Sequence, residues 1–355
     1  MSDIVFILGA GASKECGAPL MHDFLDVASR LLHSKSVEDK KEHFERVFKA
    51  IGGLQSVHSK SKLDITNIES IFTSLEIANV LGRLPNFEAT DIPKVISSLK
   101  EVIVTTLEQT ICYPTSRNCV DAPRNYVNFA ETIKYLLSDA FPSQSVSIIS
   151  FNYDVALDMA LYKAGLGPDY GIPPASLSER PVPLYKLHGS LNWAVMKDTG
   201  EVMPLRLEEY FKKCSHRDWE ERGTCLLEIG SNIQEIFGKF EKQVEKEPVI
   251  VPPTWNKADY HQMLAKIWSS AADHLSEAKS IFVLGYSLPE TDAFFRLLYA
   301  LGTVGDSPLD RLIVYNPDTS GDVDRRFKEL LGPGAIARYT YKSSKFVTFR
   351  QQSLH

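Results

Sequence analysis

The sequence predicts an α/β protein built on a doubly wound parallel sheet with an inserted helical module. Three observations carry this expectation. Short apolar runs rich in β-branched residues recur at 3–8, 145–150, 183–187, 248–251, 279–284 and 311–315. Unbroken apolar runs of that length suit strands covered on both faces of a parallel sheet. Helical stretches separate most of them, the alternation of a doubly wound fold. Finally, a polar or glycine-rich cluster follows the carboxyl end of five of these runs, the edge at which open α/β sheets bind ligands. A further run, 345–349, is expected to add an edge strand.

Composition narrows the class. The chain has 355 residues, 44% hydrophobic and 24% charged, an ordinary globular balance. At roughly 150 residues per domain, that length suits about two domains or one with insertions. Lys and Arg number 39 against 45 Asp and Glu, a net charge of −6, which offers no footprint for direct nucleic-acid binding. The five cysteines, 16, 112, 119, 214 and 225, contain no C-x-x-C pair. A disulfide framework or zinc ribbon is therefore not expected, and a reducing, cytoplasmic setting is. The N-terminus lacks the basic region of a signal peptide, and no apolar stretch approaches the roughly 18 residues of a membrane span, so no membrane partner is expected.

The strands are unevenly spaced. Residues 31–140 read as helical: Ile68, Ile71, Phe72 and Leu75 fall on one helix face, Thr66 and Glu69 have capping-box spacing, and 93–111 and 128–141 look like two more helices. We expect a sheet domain from 1–30, 141–193 and 248–355, a helical module over 31–140 packed on the sheet, and a second, mostly helical insertion over 194–247.

The clusters hold the candidate site. Gly9-Ala10-Gly11-Ala12-Ser13 follows the first strand. Its glycines let a backbone approach a pyrophosphate, and the next helix offers amide N–H groups. It lacks the third glycine of G-x-G-x-x-G and is no Walker A loop, so a tight strand-to-helix turn is the alternative. Asn152 and Asp154, in Phe151-Asn152-Tyr153-Asp154, either cap the helix expected at 155–164 or project into a cleft. His188 lies at the end of its strand beside Gly189, which leaves room for a ligand; imidazole titrates near neutrality and can take a proton from a hydroxyl or water. Gly285 and Ser287 belong to Gly285-Tyr286-Ser287, where Ser287 to Glu290 also reads as a capping box. Asn316 opens Asn316-Pro317-Asp318, a possible ligand contact or only a turn. No G-x-S-x-G elbow, H-E-x-x-H motif or metal-binding carboxylate pair is present.

Taken in order, ILGAGAS (7–13), CGAP (16–19), FNYD (151–154), KLHGS (186–190), GYSLPETD (285–292) and YNPD (315–318) resemble the sirtuin family, in its bacterial sirtuin-like branch. The resemblance spans residues 7–318. It implies a Rossmann-like NAD-binding domain with a helical module inserted. By position it implies that Gly9, Ala10, Gly11 and Ser13 line a pyrophosphate and ribose pocket and that Asn152 holds a water or ribose hydroxyl near the anomeric carbon. It also implies that Asp154 binds the nicotinamide carboxamide and that His188 is the base. Gly285 falls in the same cofactor-binding set; Ser287 would meet phosphate or ribose, and Asn316 the adenosine ribose.

The sequence also departs from the family. Protein-deacylating sirtuins carry a four-cysteine zinc module after the histidine, and only Cys214 and Cys225 stand in that region here, so no metal is expected. The Gln-Asn-Ile-Asp stretch is replaced by FNYD, and the Asp-Phe-Arg of deacylases is missing after Pro19. The resemblance therefore implies an NAD hydrolase, like the effectors of bacterial antiphage defence, releasing nicotinamide and ADP-ribose. The alternatives are a non-catalytic NAD or ADP-ribose sensor and an NAD-dependent protein deacylase. It further implies a homo-oligomer gated by a separate partner, such as a DNA-translocating ATPase or a short Argonaute.

Overall fold

The structure is a computed structural model that describes residues 3–56, 63–116, 119–141, 143–176, 178–207, 210, 223–238, 243–251, 258–290, 292–305 and 307–350. Of 258–263 only the backbone is described. Seven parallel strands form the central sheet: β1 (Ile4–Leu8), β2 (Val146–Ser150), β3 (Gly167–Asp169), β4 (Pro181–Lys186), β5 (Ser280–Leu284), β6 (Arg311–Asn316) and β7 (Tyr339–Ser343). Their spatial order is β7-β6-β5-β1-β2-β4-β3. Every residue of β1, β2 and β5 is buried, as their unbroken apolar composition demands of strands covered on both faces. The fold is the expected Rossmann-like α/β arrangement, with chain direction through the sheet reversing beside β1.

Helices flank this sheet or form the inserted module: α1 (Phe24–His33), α2 (Lys41–Gln55), α3 (Ile68–Leu81), α4 (Ile92–Thr110), α5 (Arg124–Leu136), α6 (Ala156–Lys163), α7 (Ala258–Glu277), α8 (Ala293–Gly302) and α9 (Asp322–Leu330). In α3 the apolar stripe Ile68, Ile71, Phe72 and Leu75 is buried as expected. The cap is Asn67, whose side chain accepts from the Glu69 N–H at 2.8 Å, and not Thr66, whose hydroxyl turns back to Asp64. Helices α2 and α3 pack on α4. Helix α5 lies on the sheet itself, where the ring of Phe129 meets Phe6 edge-on at 5.1 Å. Phe6 also stacks on Phe282 at 5.2 Å, so the aromatic core sits at the middle of β1 and β5. Among the described residues no helix is long and apolar enough to cross a membrane.

Three segments differ from expectation. Residues 345–349 are not a strand; β7 lies just before them, alternating half-buried Tyr339 and Tyr341 with exposed neighbours, the period of an edge strand covered on one face. A short turn then drops Phe346 and Phe349 into the core. The run 248–251 does not join the central sheet: Val249–Ile250 pairs antiparallel with Gly189–Ser190. Gly189 turns the chain there at φ +88°, and a Cβ on it would lie 2.0 Å from the Val249 carbonyl oxygen, so only glycine lets the two segments cross. The insertion 194–247 was expected to be mostly helical. Its described residues instead form a hairpin, Trp193–Val195 with Val202–Pro204, a short strand Thr224–Cys225 and one helical turn Ile233–Ile236. The hairpin turn holds Gly200 at φ +71°, a turn chemistry written in Asp198-Thr199-Gly200. Cys214 lies outside the described residues.

Candidate active site

The glycine clusters at the ends of β1 and β5 pack on each other. Gly9 N–H donates to Leu284 O at 3.1 Å, Gly11 N–H to Gly285 O at 2.9 Å and Ala12 N–H to Gly9 O at 2.9 Å. A Cβ on Gly9 would stand 2.5 Å from Tyr286 Cα, one on Gly11 2.7 Å from Gly285 O, and one on Gly285 (φ +64°) 2.5 Å from Ala12 N. Close approach of two backbones thus accounts for all three glycines before any ligand is considered.

A hydrogen-bonded cluster forms beside this junction. The Ser13 hydroxyl donates to Asp154 Oδ2 at 2.6 Å and lies 2.7 Å from the Tyr126 hydroxyl. Asn152 Nδ2 reaches Gly9 O at 3.0 Å, Ser13 Oγ at 3.1 Å and Tyr126 Oη at 3.2 Å. The Gly9 carbonyl can only accept, which fixes the orientation of the amide. Both amide hydrogens are committed to the protein, so Asn152 offers a ligand its carbonyl oxygen. Asp154 Oδ1 accepts from the Ala156 N–H at 3.0 Å at the start of α6, although the cap position itself is Val155. Burial raises the Asp154 carboxyl above its usual range, opposed by Lys186, the Ser13 hydroxyl and the Ala156 amide. Burial, with the charge of Asp154, holds the Tyr126 phenol well above its usual range. Tyr126 is therefore a protonated donor.

Beneath the cluster lies a buried ion pair that the sequence reading did not anticipate. Lys186, 1% exposed, pairs with the Asp158 carboxylate, Nζ to Oδ2 2.9 Å, and donates to the Asp154 carbonyl at 2.6 Å and Ser190 Oγ at 2.8 Å. Asp158 also accepts from Tyr170, and Asn192 bridges Tyr170 and Ser190. Lys186 therefore ties the end of β4, the loop after β2 and the start of α6 into one rigid unit.

His188 sits one ring removed from this cluster. It is 4% exposed, meets Phe151 edge-on at 5.1 Å, and places Nε2 4.0 Å from Asp292 Oδ2. Asp292 accepts from the Tyr286 hydroxyl at 2.7 Å and caps α8 through the Phe295 N–H at 3.2 Å. The cap of α8 is thus Asp292 and not Ser287, which is half-buried in the loop before it. Tyr286 stacks on Phe151 at 4.2 Å. Asn316 donates to the Tyr286 carbonyl at 3.3 Å and accepts from Asp318 N–H at 3.0 Å. It ties the loop after β6 to the loop after β5 and forms the turn that its Asn-Pro-Asp context suggested.

A cleft opens between the helical module and the sheet edge. Ala10, Ser13, Asn152 and Asp154 line it from the sheet side, and Phe24 of α1 with Ile68, Glu69, Phe72, Ile103 and Leu107 of the module from the other. The structure thus brings four of the expected site residues to one cleft, with the Gly9 carbonyl behind Asn152. His188, Gly11, Gly285, Ser287 and Asn316 lie along the same edge outside the lining. Tyr126, Glu69 and Asp292 were not anticipated as site residues. Among the described residues no group of three or more His, Cys, Asp or Glu side chains is arranged to hold a metal ion.

No protein-family model and no curated protein matches the chain. Solved structures of Sir2 proteins are similar to it at low identity. A Sir2–p53 peptide–NAD+ complex is 13% identical with a TM-score of 0.42, covering 99% of this chain and 91% of that one. A Sir2 homologue–NAD complex is 14% identical with a TM-score of 0.42, covering 98% and 86%. Sir2Tm bound to a propionylated peptide is 14% identical with a TM-score of 0.38, covering 99% and 91%.

Proposed function

We propose that the protein is a sirtuin-like NAD hydrolase. The observation that carries this reading is the convergence of Ser13, Asn152 and Asp154, from two strand ends far apart in sequence, on one cleft roofed by the helical module. In the reaction, the bond between the anomeric carbon and the pyridinium nitrogen breaks and its electron pair leaves with nicotinamide. A water oxygen bonds to the anomeric carbon, giving ADP-ribose, and its proton is released to a base. The transition state is oxocarbenium-like, as in glycoside cleavage.

The residues divide these tasks. Asn152 Oδ1 accepts a hydrogen bond from the attacking water or a ribose hydroxyl, holding it in line. Asp154 accepts from the carboxamide of the leaving ring. His188, whose Nε2 lies 4.0 Å from Asp292 Oδ2, is the base acting on a ribose hydroxyl or water. Ala10 and Ser13 meet the ribose, and the loops at Gly9, Gly11, Gly285, Ser287 and Asn316 carry the rest of the dinucleotide along the sheet edge. No metal takes part in this scheme.

An unregulated NAD hydrolase would harm its own cell. The proposed role is therefore that of a gated cytoplasmic effector in antiphage defence, a homo-oligomer controlled by a separate partner. The test is nicotinamide release from NAD by the purified protein, alone and with lysate from phage-infected cells. Asn152→Ala and His188→Ala are each expected to lower release by about 10²–10⁴ while the protein stays folded. Near-wild-type release in both variants would overturn the assignment of the residues. NAD binding without release in either condition would replace the hydrolase with a sensor.

A further inference from the structure

We infer that Glu69, on the inserted helical module, is a catalytic residue of this cleavage, its carboxylate facing the cation that forms as the ring departs. The inference rests on the hydrolase reading and extends it to a residue outside the sheet. Glu69 lines the same cleft as Ser13, Asn152 and Asp154. Its place is fixed: Asn67 caps its backbone N–H at 2.8 Å, and buried Ile68, Ile71 and Phe72 anchor the first turns of α3. Among the described residues, the carboxyl side chains lining the cleft are Glu69 and Asp154, with no lysine, arginine or histidine, and the remaining walls are largely apolar. The charge of Glu69 extends over this edge, where it helps raise the phenols of Tyr153 and Tyr286. Lys186 lies beneath Asp154 and offsets its charge. Glu69 puts a carboxylate on this largely apolar lining, and such a wall fits a cationic ligand group, because Coulomb attraction strengthens where water is excluded.

An N-substituted pyridinium is such a group. As its bond to the ribose breaks, positive charge passes from the ring nitrogen to the adjoining anomeric carbon and ring oxygen. A carboxylate fixed beside these atoms holds the ring in the ground state and stabilises the oxocarbenium that follows. Asp154 already accepts from Ser13 and Ala156. Glu69 lines the opposite wall and is the second carboxylate.

The test uses the full chain. Glu69→Gln keeps shape and helix position and removes the charge. We expect its kcat for nicotinamide release to fall by about 10²–10³, with KM for NAD raised by no more than about tenfold and an unchanged unfolding midpoint. Glu69→Asp should retain part of the activity. Turnover of Glu69→Gln within threefold of wild type would overturn the inference. A second arm needs no turnover: calorimetric binding of cationic 1-methylnicotinamide and of neutral nicotinamide. The wild type should prefer the cation about tenfold, and Glu69→Gln should lose that preference. If the wild type releases no nicotinamide yet shows a cation preference that Glu69→Gln abolishes, the hydrolase reading fails and cation recognition by Glu69 stands. No charge preference in the wild type, or one unchanged in Glu69→Gln, would overturn the inference on its own.

Discussion

The hydroxyl of Tyr126 lies 3.2 Å from the side-chain nitrogen of Asn152 and 2.7 Å from the hydroxyl of Ser13. Tyr126 comes from α5, outside every cluster that the sequence singles out. Its phenol donates toward Ser13, which donates to Asp154, so the hydrogen bonds run in one direction and reinforce one another. Tyr126→Phe removes this oxygen and leaves the ring. Asn152 Nδ2 then keeps Gly9 O and Ser13 Oγ as acceptors, so the amide keeps its orientation but is held less firmly. We expect nicotinamide release to slow about tenfold, the equivalent of roughly 1.4 kcal/mol, with KM within twofold. Steady-state kinetics beside a denaturation curve check this, since a purely structural tyrosine would change the curve and not kcat.

Lys186 and Asp158 form an ion pair with side chains 1% and 0% exposed. Removing one partner of such a pair strands a buried charge, which costs about 3–5 kcal/mol. Lys186→Met should therefore lower stability by that order in denaturant unfolding. The double variant Lys186→Met, Asp158→Leu should recover most of the loss, because no lone charge remains. Equal losses in the single and double variants would show that the packing matters and the charges do not.

Glu108, buried near the end of α4, accepts from the Gly230 and Ser231 N–H groups at 2.6 and 3.2 Å and from the Ser231 hydroxyl. Burial pushes its carboxyl up to about 7, against the pull of those hydrogen bonds. In this window the folded protein holds a proton that the unfolded chain has released. The contribution of Glu108 to stability is full below the ordinary carboxylate range and is lost as pH rises toward 7, on the order of 3 kcal/mol. Glu108→Gln should flatten this slope. Unfolding free energies of both proteins between pH 4.5 and 8 provide the measurement, and a slope shared by both would assign it elsewhere.

Much of the sheet was legible because buried parallel strands need unbroken apolar runs, and 3–8, 145–150 and 279–284 supply them. The cleft residues Ser13, Asn152 and Asp154 were legible because they follow such runs at the edge where open sheets bind ligands. The edge strands were harder: Gly167–Asp169 is too short and too poor in apolar residues to stand out, and β7 was displaced by a more hydrophobic neighbour that belongs to the core. The ion pair did leave a trace. Lys186 interrupts an apolar strand and Asp158 an apolar helix, and each is an expensive residue to bury without a partner. Tyr126 left none, since an aromatic residue on an amphipathic helix looks like any core side chain. Glu69 was hidden by its other role, since an acidic residue in the first turn of a helix already has an electrostatic reason to be there.

The contact of Gly9 and Gly11 with Gly285 bears on how the cleft can admit anything. Those backbones stand so close that a single added carbon would collide, and they are stitched together by amide-to-carbonyl bonds. That junction, behind the sheet-side lining of Ala10, Ser13, Asn152 and Asp154, behaves as an anvil, with little slack to yield. Any widening must come from the side formed by α1, α3 and α4. If the proposed dinucleotide enters this cleft, substitutions that stiffen or loosen α1, α3 and α4 are expected to change the rate of admission without touching an atom of the glycine junction.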